Sequence, residues 1–410
     1  MKSYNSLPEE LAFVSKLAYI SPSYNKENTY INSSELENID WNRFLQFCTF
    51  HQLSPLIYYN ITHILNFRLP DKIMSTLKHK YIANLFYMDK LCNELARVMQ
   101  GFQDNNVFTV TYKGPVLAQV LFGDPSLRIS GDLDLLVNPN DLPIVHSLML
   151  SWGYSPLTLF GDKEIQSLIE SDRKHHIHYT HTVKSIHVEI HWKLFDSYIS
   201  PYQFDNFKNY IDEYETVQLN GVSYPVCASN LVFITLCLHG SKHIWGRLRW
   251  LIDIMKLLEQ SDTLNWSQIY QIAKDNKFLP VIGQTLSLLK IIFHYSPPLH
   301  SDFLYDSPKN TQLVQMVLKG YNVFRKQDNQ HVFSFHTRLN RKYLYLLFSS
   351  RKTKMKQILW FVIPLIRPSQ NDFDMLTLPR LLYPLYYLLR PLLGVIRIIK
   401  KFYKNNKNSG

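Results

Sequence analysis

The sequence predicts an α+β protein in which helical N-terminal and C-terminal regions flank a small mixed sheet. Apolar residues recur at helical spacing towards both ends of the chain, whereas short runs rich in β-branched and aromatic residues occupy its middle. With 410 residues, of which 46% are hydrophobic and 19% charged, the chain can bury a large core. We divide it into a helical N-terminal region (1–104), an α/β core (105–225), a helical domain (226–340) and a basic aromatic helical tail (341–410).

The N-terminal region contains three apolar runs with helical periodicity. The first includes Trp41, Phe44, Leu45 and Cys48, and the sequence HQLSP at 51–55 interrupts it. The second covers 56–65, and the third, at 81–102, has no glycine before Gly101. These runs predict two short helices and one long helix.

The core alternates predicted strands and helices. Strands are predicted at Val107–Tyr112, Asp132–Val137, His176–Thr182 and Ile186–Trp192. Helices are predicted at Pro115–Phe122 and Asp141–Trp152, the second ending at Gly153, which suits a left-handed cap. Residues 229–300 return to helical periodicity.

Several classes of protein lose support from what the sequence lacks. No G-x-G-x-x-G or G-x-x-x-x-G-K-[ST] loop occurs among the 13 glycines, which argues against dinucleotide binding and Walker-type ATP hydrolysis. The four cysteines form no C-x-x-C pair, so we expect reduced core thiols. Glu9 and Glu10 interrupt any apolar leader, and no later segment reaches about 18 apolar residues. We therefore expect a cytoplasmic protein.

The net charge of +11 belongs to the tail. Residues 341–410 carry 14 Lys and Arg against two acids, Asp372 and Asp374, so the first 340 residues have a net charge of −1. Five prolines divide the apolar runs of the tail into short helices. We favour helices packed on the protein with their arginines reaching solvent, over peripheral membrane contact or nucleic-acid contact.

Strand periodicity brings acidic side chains to one surface. Asp132 and Asp134 share one face of the second predicted strand, and Glu189 shares the polar face of the later strand with His187 and His191. If the two strands are neighbours, three carboxylates meet. Such a cluster favours two Mg²⁺ ions that activate an attacking oxygen and stabilise leaving pyrophosphate. A bare D-x-D pair is more often a solvated acid pair, but the ordered set of motifs around this one favours a site.

The chain resembles a bacterial nucleotidyltransferase family in the DNA polymerase β-like superfamily, and the resemblance covers nearly all of it. The matching segments are WNRFLQFCTFHQLSPLIY at 41–58, Lys113-Gly114, RISGDLDLLV at 128–137, VEIHW at 188–192, LHGSKHIWGRLRWLIDI at 238–254 and LTLPRLLYPLYYLLRP at 376–391. The resemblance implies a polymerase β-like core. It also implies that Asp132, Asp134 and Glu189 hold the metal ions. Where the superfamily has Gly-Ser after the first strand, this chain has Lys113-Gly114-Pro115.

Candidate nucleotide-binding residues surround these acids. Lys113 and Arg128 are the counter-charges for a triphosphate, although a solvent-exposed lysine and an arginine paired with Asp124 or Asp132 are the structural alternatives. Backbone amides near Gly114, Ser130 and Gly131 can approach a phosphate, or they form a plain turn.

Histidines offer two further patterns. Six of the 16 lie at 175–191, where we prefer the polar face of a strand to a zinc site because no H-E-x-x-H motif is present. His239 and His243 are spaced for one helix face that continues to Gly246 and Trp250, but Gly240 stands where a metalloprotease has Glu. His243 or Lys242 is a candidate nucleotide contact.

The sequence therefore predicts a Mg²⁺-dependent transferase that moves a nucleoside monophosphate from an NTP, most simply ATP, to an unidentified acceptor hydroxyl. Asp132 and Asp134 would hold both ions, while Glu189 would complete the second site and help to deprotonate the acceptor. The alternatives are a metal-dependent glycosyltransferase that uses the D-x-D pair, and a non-catalytic nucleotide-binding or regulatory protein.

Overall fold

The computed structural model describes residues 7–20, 36–65, 68–157, 174–194, 214–260, 264–296, 307–323, 342–347, 385–390 and 392–394, with a few isolated positions. The chain divides into two compact units, residues 1–348 and 349–410. All of the predicted core lies in the first unit, and most of the predicted basic tail lies outside the described residues. Among the helices in the described ranges, none has the length and apolar character needed to cross a bilayer.

Within the part of the N-terminal region that the structure describes lie the helices α1 (Glu9–Ala18), α2 (Trp41–Phe50), α3 (Ser54–Tyr59), which continues as a π-helical turn to Leu65, and α4 (Asp71–Asp104). Helix α2 begins where predicted because the Asp40 side chain accepts hydrogen bonds from the backbone N–H groups of Asn42 and Arg43, at 2.9 and 3.1 Å. The predicted long helix is confirmed and starts ten residues earlier than its apolar run.

One seven-stranded mixed sheet forms the core. Its strands are β1 (Thr109–Thr111), β2 (Leu133–Val137), β3 (Ser155–Pro156), β4 (His176–His181), β5 (Ile186–His191), β6 (Tyr214–Leu219) and β7 (Val222–Cys227). The order across the sheet is β3-β4-β5-β2-β1-β7-β6. Strand β2 is parallel to β5 and antiparallel to β1, so the two strands that carry the predicted acids are neighbours.

Helices cover the sheet and continue after it. Between the strands lie α5 (Gly114–Phe122) and α6 (Leu142–Ser151). After β7 come α7 (Ser229–Lys242), α8 (Arg249–Glu259), α9 (Trp266–Asp275), α10 (Leu279–Phe293) and α11 (Pro308–Val323). The predicted α+β class is confirmed by this combination of one mixed sheet and many helices.

Two buried apolar clusters hold these layers together. One joins helices α1–α3 to α7–α11, and the other fills the space between α4, α6 and the sheet. Helix α4 contributes to both, with Ile73 and Leu77 in the first cluster and Leu91 to Phe102 in the second. The N-terminal helices therefore pack against helices more than 150 residues later in the chain.

The prediction of one helix face running from His239 to Trp250 is wrong. Helix α7 ends at Lys242, and helix α8 begins at Arg249. Between them Ile244 and Trp245 have positive φ angles of 52° and 53°, and the fully buried Trp245 side chain folds back over Gly240. This packing is possible because Gly240 has no side chain; a Cβ at position 240 would collide with the indole ring.

Candidate active site

The structure brings the three predicted carboxylates to one end of the sheet. Asp134 on β2 lies directly beside Glu189 on β5 in the parallel register, and Asp132 immediately precedes β2 with the same strand parity. All three side chains line one cavity of about 380 Å³. The apolar alternation of both strands produces this arrangement, because burying Leu133, Leu135, Val188 and Ile190 turns the acids to the opposite face.

A histidine lies between two of the acids. His191 Nε2 is 3.3 Å from Asp134 Oδ1 and 3.2 Å from Glu189 Oε2, and the Tyr112 hydroxyl is 3.0 Å from the imidazole nitrogens. Burial acts to lower the pKa of His191, but its bonds to the two carboxylates outweigh burial and raise it. This shift favours the protonated form of the imidazole between Asp134 and Glu189.

The three carboxylates titrate differently. Burial, followed by the charges of Asp134 and Glu189, raises the pKa of Asp132 to about 7. Although burial opposes ionisation of Asp134 and Glu189, Lys113 and His191 hold both of their pKa values below the usual range. Asp132 is thus the one carboxyl group of the three whose negative charge the neighbouring cations do not balance.

The donor set fits a divalent cation. Ligand atoms of Asp134, Glu189 and His191 lie within 4.8 Å of one another. A cation beside Asp132 would relieve the repulsion that raises the pKa of this carboxyl group. The residues that could hold it offer mainly carboxylate oxygens, which are the ligands that Mg²⁺ and Mn²⁺ prefer.

Lys113 and Gly114 stand at the junction of β1 and α5, against the acids. Lys113 Nζ lies 3.4 Å from Asp134 Oδ1 and over the Tyr112 ring. Gly114 has a φ of +64°, and a Cβ there would lie 3.2 Å from the Asp132 carbonyl oxygen. Only glycine fits this close approach without strain, and Gly114 itself lines the cavity.

Arg128 forms a buried ion pair with Asp253, which was not among its predicted partners. Its Nε and Nη2 donate to the two carboxylate oxygens of Asp253 on α8, at 3.1 and 3.0 Å, and Nη1 donates to Ser130 Oγ at 2.9 Å. The expected structural partners were Asp124 and Asp132, but Asp124 instead accepts from the backbone N–H of Ser126. Arg128 therefore fastens the segment before β2 to α8.

Helix α4 holds the same segment from the other side. Asn84 Nδ2 donates to the Ser126 carbonyl at 2.6 Å, and the Tyr87 hydroxyl donates to the Gly131 carbonyl at 3.2 Å. Ser130 is buried and Gly131 is exposed, and both line the cavity. The loop that presents Asp132 is thus fixed at several points along its length.

The wall facing the acids is cationic and aromatic. It comes from α7, the turn after it and α8, where Thr235, Leu236 and Leu238 also line the cavity; its basic and aromatic members are His239, Lys242, His243, Arg247, Arg249 and Trp250. The Trp250 ring lies edge-on to His239 at 5.2 Å and only 32° from the plane of His243 at 5.3 Å. His243 and Trp250, which the sequence placed on one helix face, are therefore in contact although a turn separates them.

Two donors on this wall lack partners. Within the described residues, Arg249 Nε and Trp250 Nε1 are buried and make no hydrogen bond, while Arg249 Nη1 donates to the Ile129 carbonyl. Burial and the neighbouring Arg128 lower the pKa of Arg249 to about 9. The positive side chains that line the cavity, Lys242, Arg247 and Arg249, suit this wall to an anionic ligand.

Sequence reasoning missed several contributors to the cavity, among them Arg249, Tyr112, His175 and His176. Tyr112, which reaches His191, carried no motif of its own beyond its place before Lys113. His175 and His176 were assigned to a polar strand face, yet both line the cavity. The cross-strand pairing of His176 with His191 could have identified them, had the register been known.

A protein-family model described as an uncharacterised nucleotidyltransferase matches residues 37–294 of the chain. The matched range runs from just before α2 to the end of α10 and contains every cavity-lining residue described above. Neither the curated proteins nor the solved structures include a match to this chain.

Proposed function

Because that match spans more than half of its length, the chain belongs to this family of uncharacterised nucleotidyltransferases, and we propose that it transfers a nucleoside monophosphate from an NTP to an acceptor hydroxyl. One observation carries the proposal: three carboxylates on adjacent strand ends face a cationic wall across a cavity of about 380 Å³. A DNA polymerase β-like core and Mg²⁺ dependence are parts of the same proposal.

In this proposal the acidic side chains bind metal ions and the cationic side chains bind the nucleotide. Asp132 and Asp134 would hold two divalent ions, and Glu189 would complete the second site. When bound, these ions would neutralise phosphate charge and favour ionisation of the attacking hydroxyl. Since His191 and Lys113 already lie on Asp134, they keep that carboxylate ionised and ready to bind a cation.

The transfer itself conserves atoms and charge in a simple way. The acceptor oxygen forms a bond to the α-phosphorus, the bond from that phosphorus to the bridging oxygen breaks, and pyrophosphate leaves. The acceptor proton passes to the carboxylate of Glu189, which His191 and the neighbouring strand β4 orient. Most of the rate enhancement would come from positioning and charge neutralisation.

The cationic wall suits the nucleotide. Lys113, Lys242 and Arg249 surround the cavity and would bind the triphosphate, helped by backbone amides near Gly114, Ser130 and Gly131. The His243–Trp250 pair offers a ring surface against which a base can stack. Arg128 acts in this proposal as a positioning residue, because Asp253 and Ser130 occupy most of its donors.

The experiment compares Asp132→Asn and Asp134→Asn with Asp89→Asn, a control on the exposed side of α4. Wild-type protein and the control should be stabilised by ATP with Mg²⁺, by about 2.7 kcal/mol at a ligand concentration of about 100 Kd. Both site variants should fold and lose this stabilisation, since each removes a negative ligand. Metal-dependent stabilisation that is unchanged in both would refute the proposal.

The released product distinguishes the main rival reaction. A nucleotidyltransferase releases pyrophosphate and leaves the α-phosphate on the acceptor, whereas a glycosyltransferase with a D-x-D pair releases a nucleoside diphosphate. Incubating the protein with α-labelled NTP, Mg²⁺ and cell extract should therefore label an acceptor. In a parallel incubation with a nucleotide sugar, transfer of the sugar and release of nucleoside diphosphate, without transfer of label from the NTP, would favour the glycosyltransferase.

A further inference from the structure

We propose that His175, His176 and His191 form a binding site for a transition-metal cation such as Zn²⁺, beside the carboxylate cluster. One ring nitrogen from each histidine lies within 4.8 Å of the other two. His175 Nε2 and His176 Nδ1 are 3.0 Å apart. Two nitrogen ligands on one tetrahedral Zn²⁺, each at about 2.0–2.1 Å, are separated by about 3.3 Å, so only a small adjustment is needed.

Sheet register, rather than a loop, sets this arrangement. His176 and His191 are directly paired across antiparallel strands β4 and β5, with ring centroids 4.9 Å apart. His175 immediately precedes β4, and its ring centroid is 4.3 Å from that of His176 and 5.7 Å from that of His191. His191 is buried, whereas His175 and His176 are half-buried, which leaves a route for an ion from solvent.

Ligand chemistry separates this histidine cluster from the carboxylate cluster. Imidazole nitrogens favour Zn²⁺ and similar borderline-soft ions, while carboxylate oxygens favour Mg²⁺. Glu189 lies beside the histidine cluster, with its Oε1 3.8 Å from His176 Nε2. Two neighbouring sites of different preference thus share one end of the sheet.

His191 couples the two sites. It belongs to the histidine cluster and also lies between Asp134 and Glu189. A Zn²⁺ ion on the histidines would replace the proton of His191, draw this imidazole away from the acids, and repel a Mg²⁺ ion at the neighbouring carboxylates. Zn²⁺ should therefore inhibit Mg²⁺-dependent nucleotide binding. Only this consequence rests on the proposed function; the metal site does not.

The test measures Zn²⁺ binding to the full chain by titration calorimetry, with the visible absorption of bound Co²⁺ as a second readout of nitrogen ligation. We expect one tight Zn²⁺ ion per chain, and at least tenfold weaker binding in His175→Ala and in His176→Ala. His187→Ala is the matched control, because this histidine lies on the same face of β5 but outside the cluster. It should bind Zn²⁺ as the wild type does.

A further variant separates the two proposals. Asp132→Asn should lose ATP–Mg²⁺ stabilisation and keep Zn²⁺ binding, because Asp132 belongs to neither histidine ligand set. Wild-type Zn²⁺ affinity in both His175→Ala and His176→Ala, with both variants folded by circular dichroism, would overturn the histidine site. An equal loss in His187→Ala would also overturn it, since the binding would then be general to surface histidines.

Discussion

Replacing Asp253 by asparagine should destabilise the protein more than most substitutions near the site. Arg128 is 5% exposed and Asp253 is fully buried, and two hydrogen bonds of 3.1 and 3.0 Å join them. Opposite charges about 4 Å apart attract by about 4 kcal/mol at an effective dielectric constant of about 20. Removing one partner of a buried pair leaves the other charge uncompensated, which typically costs about 3–5 kcal/mol.

The assay is urea unfolding of ligand-free protein. Asp253→Asn should lower the free energy of unfolding by about 3–5 kcal/mol, whereas Asp275→Asn, at the exposed end of α9, should change it by less than about 0.5 kcal/mol. The double variant Arg128→Met/Asp253→Leu should recover at least half of the loss, because it removes both charges.

That folded double variant also measures what Arg128 contributes to the ligand. If Arg128 only positions the loop, its replacement should lower the affinity for ATP–Mg²⁺ by less than tenfold. A larger loss would show direct phosphate contact. Wild-type stability of Asp253→Asn would refute the reasoning about the buried pair.

Two further predictions concern the turn between α7 and α8. Gly240→Ala should lower the free energy of unfolding by about 1–3 kcal/mol in urea, because the new Cβ would collide with the buried Trp245 ring, whereas Gly320→Ala, with no atom within 4 Å, should not. An equal effect of the two substitutions would contradict this packing. His51 accepts a hydrogen bond from the backbone N–H of Leu248 at 3.0 Å, and burial lowers the pKa of this histidine to about 3. The unfolded histidine has a pKa near 6.5 and binds a proton below that pH, whereas the folded one does not. The free energy of unfolding should therefore fall by about 2 kcal/mol between neutral pH and pH 5. His51→Gln should remove this part of the pH dependence. Parallel pH profiles for wild type and variant would contradict it.

The strands could be predicted from the sequence because each carries its own signal. The predicted strand at 186–192 is observed at Ile186–His191, since alternation of apolar and polar residues fixes both the strand and the face of each side chain. Glu189 could therefore be placed on the same face as Asp134 before their strands were known to be neighbours. Parity along a strand is a local property of the chain.

Other features depend on residues far apart in the sequence. Nothing near Arg128 marks Asp253, 125 positions later, as its partner. The break after α7 was missed because His239 and His243 keep helical spacing, while the reason for the turn is the packing of Trp245 against Gly240. Such contacts arise only when helices meet, so periodicity does not reveal them.

Helix α4 has a consequence for how the first unit unfolds. Its first turns are buried among the helices, and its later turns are buried against the sheet. If either cluster unfolds, α4 loses part of its packing, and this destabilises the other cluster as well. Partial unfolding therefore exposes apolar surface in both clusters. The loop that α4 holds through Asn84 and Tyr87 should therefore unfold together with the whole unit. The positions of the acids then depend on the global stability of the unit as well as on local hydrogen bonds.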